Sequence, residues 1–101
     1  MSDLKEDIIS MLRTIYDPEI PVNIYDLGLI YDIRIDEKNN VVVDMTLTAP
    51  GCPVAQTFPQ MVEDAVRSVP GVTDAKVELV WEPAWTQDKM SEAAKLQLGL
   101  L

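Results

Sequence analysis

One stretch decides the fold: residues 41–55 read VVVDMTLTAPGCPVA. Apolar and polar residues alternate through 41–48, which predicts a β-strand with one buried and one outward face. Pro50 and Gly51 end this strand, because proline cannot donate to a strand ladder and glycine readily takes a positive φ. The pattern therefore predicts a strand, a tight turn and then a new element.

The single cysteine of the chain, Cys52, follows this turn. Pro53 suits the first position of a helix, where its missing N–H is not needed, so Cys52 is predicted at or next to a helix N-cap. The alternation places the hydroxyls of Thr46 and Thr48 on the outward face at the end of the strand. A free cysteine is also among the most buried residue types, so a purely structural role for Cys52 stays open.

The segments before this stretch predict a helix and a second strand. Apolar residues recur at helical spacing from Asp3, a plausible N-cap, to about Tyr16. The helix must stop there, because residues 17–21 contain two prolines. Apolar residues then alternate over 29–36, and the polar residues 37–40 predict a β-hairpin to the strand already described.

The segments after it predict a helix, a strand and a helix. The first helix has apolar residues from Val54 to Val66, Met61 among them, and begins either at Pro53 with a kink near Pro59 or at Thr57 as its cap. Residues 75–81 alternate as a strand, and a last helix is capped by Ser91 and stopped at Gly99, with Thr86 as a further candidate cap. The order helix, strand, strand, helix, strand, helix predicts an α+β fold, a small three-stranded sheet packed against helices.

Size and charge limit the function. At 101 residues we expect a single domain spanning residues 1–101. Eight basic residues against 17 acidic ones give a net charge of −9, which makes nucleic acid and membrane surfaces poor partners. The acidic N-terminal sequence is unlike a signal peptide, so we expect a cytoplasmic protein.

The absence of histidine excludes Ser-His-Asp and Cys-His catalysis and histidine zinc sites within this chain. One thiolate cannot hold zinc or an iron-sulfur cluster by itself, because such sites take four ligands. No stably bound cofactor is therefore predicted. Three options stay open for Cys52: a labile site shared across a homodimer, a handoff to a partner's thiols, or thiol chemistry without metal.

Three carboxylates are candidates for a pocket around the thiol, namely Asp17, Glu19 and Asp26. For each of them considered alone, a side chain that caps a turn is the simpler explanation. If they do surround Cys52, the site is rich in oxygen and thiolate ligands, which suits a soft or borderline metal ion better than an anionic substrate.

Two tryptophans follow the third strand. Trp81 continues the apolar face of that strand, so we expect it to close the core. Trp85 lies beyond the strand and is the candidate for a contact with a partner protein.

Four blocks of the sequence, taken together, resemble the SufT and PaaD-like family of metal-sulfur cluster assembly proteins, which is related to a cytosolic iron-sulfur assembly component of eukaryotes. The resemblance covers nearly the whole chain, in the expected order. The blocks are DPEIPVNI at 17–24, DLGLIY at 26–31, MTLTAPGCP at 45–53, and WEPAW at 81–85 with Met90 and Ser91.

The resemblance implies a small α/β domain without established catalytic activity, which acts in the maturation or carriage of iron-sulfur clusters. The characteristic cysteine of the family matches Cys52, and its acidic loop matches Asp17 and Glu19. Asp26 falls in the following block, and the hydroxyl-bearing strand matches Thr46 and Thr48. The chain resembles the minimal form of the family, without the cysteine-rich C-terminal extension of PaaD-like members.

The sequence thus predicts an accessory protein of iron-sulfur cluster assembly rather than an enzyme. Cys52 would be a transient ligand for iron or a cluster, and the partners would be the assembly machinery and recipient apoproteins. One alternative is a thiol enzyme in which Cys52 attacks an electrophile with help from Glu19 or Asp17. Another is an interaction module that binds basic partners through Trp85 and the acidic surface.

Overall fold

The computed structural model describes residues 3–17, 20–47 and 54–99, without the side chains of residues 54–56. The elements are α1 (Leu4–Leu12), β1 (Ile30–Ile35), β2 (Asn40–Met45), α2 (Val54–Arg67), β3 (Asp74–Leu79), a short 3-10 turn (Gln87–Lys89) and α3 (Glu92–Gln97). The α+β prediction and the order α-β-β-α-β-α are confirmed.

The described strands form one mixed sheet in the order β1-β2-β3. β1 and β2 are antiparallel and form the predicted hairpin, in which Asn39 takes a left-handed φ of 62° that asparagine tolerates. β2 and β3 are parallel, and α2 makes the crossover between them. β2 is therefore the central strand of the described sheet.

The two faces of the sheet differ in polarity. On β2, the side chains of Val41, Val43 and Met45 are buried on the face that the helices cover. Helix α1 adds Ile8 and Leu12 to this core. We call the opposite face the open face; its side chains are Asp32, Arg34, Val42, Asp44, Lys76 and Glu78.

Helix α1 is shorter than predicted. The Asp3 side chain accepts a hydrogen bond from the Lys5 N–H at 3.3 Å, which confirms the N-cap. The helix ends at Leu12 rather than near Tyr16, because the next residues bond elsewhere: the Ile15 carbonyl accepts the Ile24 N–H at 2.8 Å. A long-range backbone pairing thus replaces the last helical turn.

Helix α2 begins before Thr57, so the alternative in which Thr57 caps it is wrong. Pro59 lies inside the helix and removes a single backbone hydrogen bond near its start. Phe58, Val62 and Val66 are buried as predicted, whereas Met61 is 49% exposed and lies off the apolar side.

The ends of the strands correct two expectations. β2 pairs only as far as Met45, and Thr46, predicted to point outward, is 1% exposed, while its N–H donates to the Leu29 carbonyl at 2.8 Å. β3 ends at Leu79, so Trp81 does not complete its apolar face and is 41% exposed. Both errors come from continuing an alternating pattern past the last paired residue.

The caps near the third helix are partly as predicted. The Ser91 side chain accepts the Ala94 N–H at 3.1 Å, and Gly99 has the left-handed φ of 75° expected after a helix. Thr86 precedes the 3-10 turn but makes no side-chain cap bond.

Candidate functional site

A chain of backbone hydrogen bonds joins Ile15, two residues before Asp17, to the end of the central strand. Ile24 donates to Ile15 at 2.8 Å and accepts from the Leu29 N–H at 3.1 Å. Leu29 in turn accepts the Thr46 N–H at 2.8 Å, and the Met45 carbonyl accepts the Val80 N–H at 2.8 Å. Segments distant in sequence are thereby fixed side by side at this end of the sheet.

Two predicted site residues are buried there. Among the residues that the structure describes, Asp17 (8% exposed) and Thr46 (1% exposed) are the buried polar or charged ones. The Asp17 Oδ1 accepts the Ile20 N–H at 2.9 Å, so this carboxylate does cap a turn. Capping and a place in a pocket are compatible roles, because a carboxylate has about four acceptor positions.

Asp26 is held by reciprocal hydrogen bonds with Asn23. The Asn23 amide donates to Asp26 Oδ2 at 2.8 Å, and the Asp26 N–H donates to Asn23 Oδ1 at 2.9 Å. The second oxygen, Oδ1, lies 3.9 Å from Arg13 Nε. We call residues 23–28 the turn; its side chains hold Asp26 in place before β1 begins.

The segment 83–91, which we call the strap, is bound to the turn. The indole N–H of Trp85 donates to the Leu27 carbonyl at 2.7 Å, and the Trp85 ring packs half-buried against the core. The candidate partner contact thus also has a role within the fold.

Two further hydrogen bonds fix the strap. The Ser91 N–H donates to the Asp26 carbonyl at 2.8 Å, and the Tyr31 hydroxyl donates to the Pro83 carbonyl at 2.6 Å. Burial raises the pKa of the Tyr31 phenol. All three acceptors are backbone carbonyls.

Gly28 allows the turn and the strap to touch. Its φ is +87°, and a Cβ built on it would lie 2.3 Å from the Lys89 carbonyl oxygen. No L-residue fits this position without moving the strap.

A cavity of about 670 Å³ lies beside Asp26, between the turn and the strap. Two cations cover aromatic rings in it: the Arg13 guanidinium carbon and the Lys89 Nζ each lie 5.0 Å from a tyrosine ring centroid. The polar and aromatic residues that line this cavity are Arg13, Tyr25, Asp26, Tyr31, Lys89 and Ser91. Among these, Asp26 is the one predicted as a pocket residue from the sequence.

The remaining predicted site residues, Glu19, Thr48 and Cys52, lie outside the described residues. Within 3–17, 20–47 and 54–99, no group of three or more acidic, cysteine or histidine side chains is placed to hold a metal ion. Over the same ranges no helix has the length and apolar character needed to cross a membrane.

A family model described as "Iron-sulfur cluster assembly protein" matches residues 5–79, which include the turn and all three strands. The chain belongs to this family. The match confirms the resemblance drawn from the four sequence blocks, and PaaD-like and SufT proteins are among the similar proteins. The strap follows the last residue that the family model matches.

Three of the similar proteins match this chain over most of their own length. An "Fe-S protein maturation auxiliary factor" of Porphyromonas gingivalis is 55% identical over 97 residues, which cover 96% of this chain and 92% of that protein. The factor SufT of Staphylococcus aureus is 40% identical over 86 residues, which cover 85% and 98%. A solved domain of unknown function from Bacillus anthracis superposes with a TM-score of 0.88 at 38% identity, covering 97% of this chain and 93% of that chain.

Proposed function

We propose that this chain is an auxiliary factor in the maturation of iron-sulfur proteins and acts without catalysis. The observation that carries this proposal is the family match over residues 5–79, together with near full-length similarity to proteins named for that role. Its partners would be the iron-sulfur assembly machinery and recipient apoproteins, and iron or a cluster would be its cargo rather than a resident cofactor.

In the proposed mechanism, Cys52 is a transient ligand for the cargo. A single thiolate leaves most coordination positions of iron to other ligands, so a recipient with several cysteines would take the cargo from it. Its acidic and hydroxyl neighbours would shape the pocket and supply oxygen ligands. They are Asp17, Glu19, Asp26, Thr46 and Thr48.

The described residues support this pocket in two ways. Asp17 and Thr46 are buried, and the segments that hold them are connected through the bonds of Ile24 and Leu29. Thr46 also lies six residues before Cys52 in the sequence, at the end of the central strand.

Anaerobic maturation of a recipient apoprotein with iron and sulfide tests the mechanism. We expect Cys52→Ser to reduce the rate of cluster insertion to that measured without the protein, and Asp17→Asn to reduce it partially. Glu37→Gln, which removes an exposed acid from the hairpin loop, is the matched control and should leave the rate unchanged. If Cys52→Ser supports maturation as well as the wild type, the ligand role is wrong.

The same preparations separate carriage from thiol catalysis. Incubation with activated acyl or persulfide donors, followed by mass spectrometry, reports any covalent adduct, and the single cysteine makes its position unambiguous. We expect no stoichiometric adduct during maturation. A turnover-dependent adduct on Cys52 would instead indicate a nucleophilic enzyme.

A further inference from the structure

The two edge strands of the described sheet differ in whether side chains from another element bond to their outward backbone groups. On the outer edge of β3, Glu63 Oε1 accepts the Val77 N–H at 3.0 Å, and Arg67 Nη2 donates to the Ala75 carbonyl at 2.9 Å. Side chains of α2 thus occupy backbone groups that another strand would need. An edge satisfied in this way is protected against strand addition.

The cap on β3 is firmly held. Arg67 Nε lies 2.9 Å from Asp74 Oδ1, and its other nitrogens lie 3.0 Å from Asp64 and 3.3 Å from Glu63. The hydrogen bond to Asp74, followed by that to Glu63, raises the pKa of Arg67. A guanidinium with this many acceptors has little freedom to leave the edge.

Among the residues that the structure describes, none caps the outer edge of β1 in this way. The Asp36 N–H donates to the Asn40 carbonyl at 3.0 Å, which sets the alternation of the ladder so that residues 33 and 35 direct their N–H and C=O groups away from β2. The Ile33 N–H donates at 2.9 Å to the side chain of its own neighbour, Asp32. In the described part of the chain, no side chain from another element bonds to these outward groups.

The charges of β1 are complementary to those of a second copy. If two β1 strands pair antiparallel with Ile33 on the twofold axis, Asp32 lies opposite the partner's Arg34, and both are on the open face. Within its own sheet Asp32 lies opposite Asp44, and it forms no ion pair among the described residues. Arg34 Nη2 lies 2.6 Å from Asp44 and 3.5 Å from Glu78, yet the side chain is 54% exposed and the other guanidinium nitrogens retain donors for a further carboxylate.

We propose that two copies of this chain associate through their β1 edges. The two β1 strands then pair antiparallel, and the sheets of the two copies become one continuous sheet. The Ile33 N–H and C=O groups of the two copies bond to each other, and each Asp32 leaves the Ile33 amide for the partner's Arg34. These reciprocal contacts bring cations to acids in a chain of net charge −9, whose copies would otherwise repel each other. The irregularity between Ile30 and Asp32 limits the ladder to a few residues, so the association is weak.

Sedimentation velocity from about 1 μM to about 1 mM tests this proposal. We expect a reversible monomer-dimer equilibrium that Asp32→Arg weakens about tenfold, because the new side chain meets the partner's Arg34 twice per dimer. The variant should fold, since it also places a cation opposite Asp44. Glu37→Arg makes the same change of charge beyond the strand and should keep the equilibrium.

A mixing experiment identifies the pairing. Arg34→Asp should also weaken self-association. A mixture of Asp32→Arg and Arg34→Asp, each shown to be folded by circular dichroism, should form mixed dimers more tightly than either variant associates alone, because opposite charges face each other again. Amide exchange at Ile33 and Ile35 should slow as the wild-type concentration rises. A wild type that stays monomeric up to about 1 mM, or a dimer that Asp32→Arg and Glu37→Arg affect equally, would overturn the proposal.

Discussion

At the scale of single residues, Gly28 shows how closely the turn and the strap pack. Gly28→Ala should lower the free energy of unfolding by about 3 kcal/mol, of which about 1–2 kcal/mol is the left-handed backbone and the rest is displacement of the strap. Urea unfolding measures the loss.

Gly99 provides the control for this substitution. Its φ is +75° and a Cβ there would meet nothing within 4 Å, so Gly99→Ala should cost only the backbone part, about 1–2 kcal/mol. Equal losses at the two positions would show that contact with Lys89 does not matter.

Residues whose role depends on near neighbours were predictable. Asp3 and Ser91 cap helices because their side chains reach amides two or three residues ahead, and that relation is visible in sequence. Thr46 and Trp81 were not predictable, because their burial depends on where strand pairing stops. Local alternation carries no information on that point.

At the scale of elements, the β1–β2 hairpin depends on the carboxylate of Asp36. It accepts the Lys38 and Asn40 N–H groups, each at 2.9 Å, and the Asn40 side-chain amide at 3.1 Å. The bonds from Asn40 lower the pKa of Asp36 below its usual value. The bond from Arg67 likewise lowers the pKa of Asp74.

Asp36 therefore makes the stability of the protein depend on pH in the acidic range. Because the folded pKa is the lower one, its stabilisation is complete above the unfolded value of about 3.9 and is lost as the pH falls through the folded value. Asp36→Asn should lower the urea midpoint at pH 7. On acidification the midpoint of this variant should fall less steeply than that of the wild type, and the remaining fall reflects the loss of stabilisation by Asp74.

Urea titrations at a series of pH values measure this effect. Glu37→Gln is the control, because Glu37 has no bonding partner among the described residues, and it should follow the wild-type profile. A decline as steep in Asp36→Asn as in the wild type would contradict the role of this carboxylate.

The elements themselves were largely predictable, and their limits were not. Alternation and helical spacing gave the order of all six elements, since each pattern spans several residues. The early end of α1 follows from the bond between Ile15 and Ile24. The sequence pattern allowed α2 to begin either at Pro53 or at Thr57, and in the structure Pro59 lies inside the helix. Such choices depend on contacts made elsewhere in the chain.

At the scale of the whole molecule, the strap joins the segment after β3 to the turn before β1. Trp85→Phe keeps an aromatic ring but removes the donor to the Leu27 carbonyl, so unfolding free energy should fall by about 1–3 kcal/mol. Trp81→Phe, at an exposed ring, should change it by less than about 0.5 kcal/mol. Similar losses for both variants would contradict a clamping role for the indole N–H.

The candidate site was predictable in part. Asp26 was chosen from its sequence block and lines the cavity, whereas Arg13 and Lys89 were missed because they come from α1's end and from the strap. The two tyrosines that flank the Asp-Leu-Gly corner, Tyr25 and Tyr31, were the available signal. Partners separated by more than 50 residues cannot be paired by spacing alone.

Two hydrogen bonds from the strap end on main-chain oxygens of the turn, those of Leu27 and Asp26, and the Pro83 oxygen of the strap accepts the Tyr31 hydroxyl. Every residue type supplies such an oxygen, so these two bonds do not depend on the identity of the side chains at 26 and 27. A different residue at position 26 would therefore change the chemistry of the cavity wall without removing the main-chain hydrogen bonds that hold the strap.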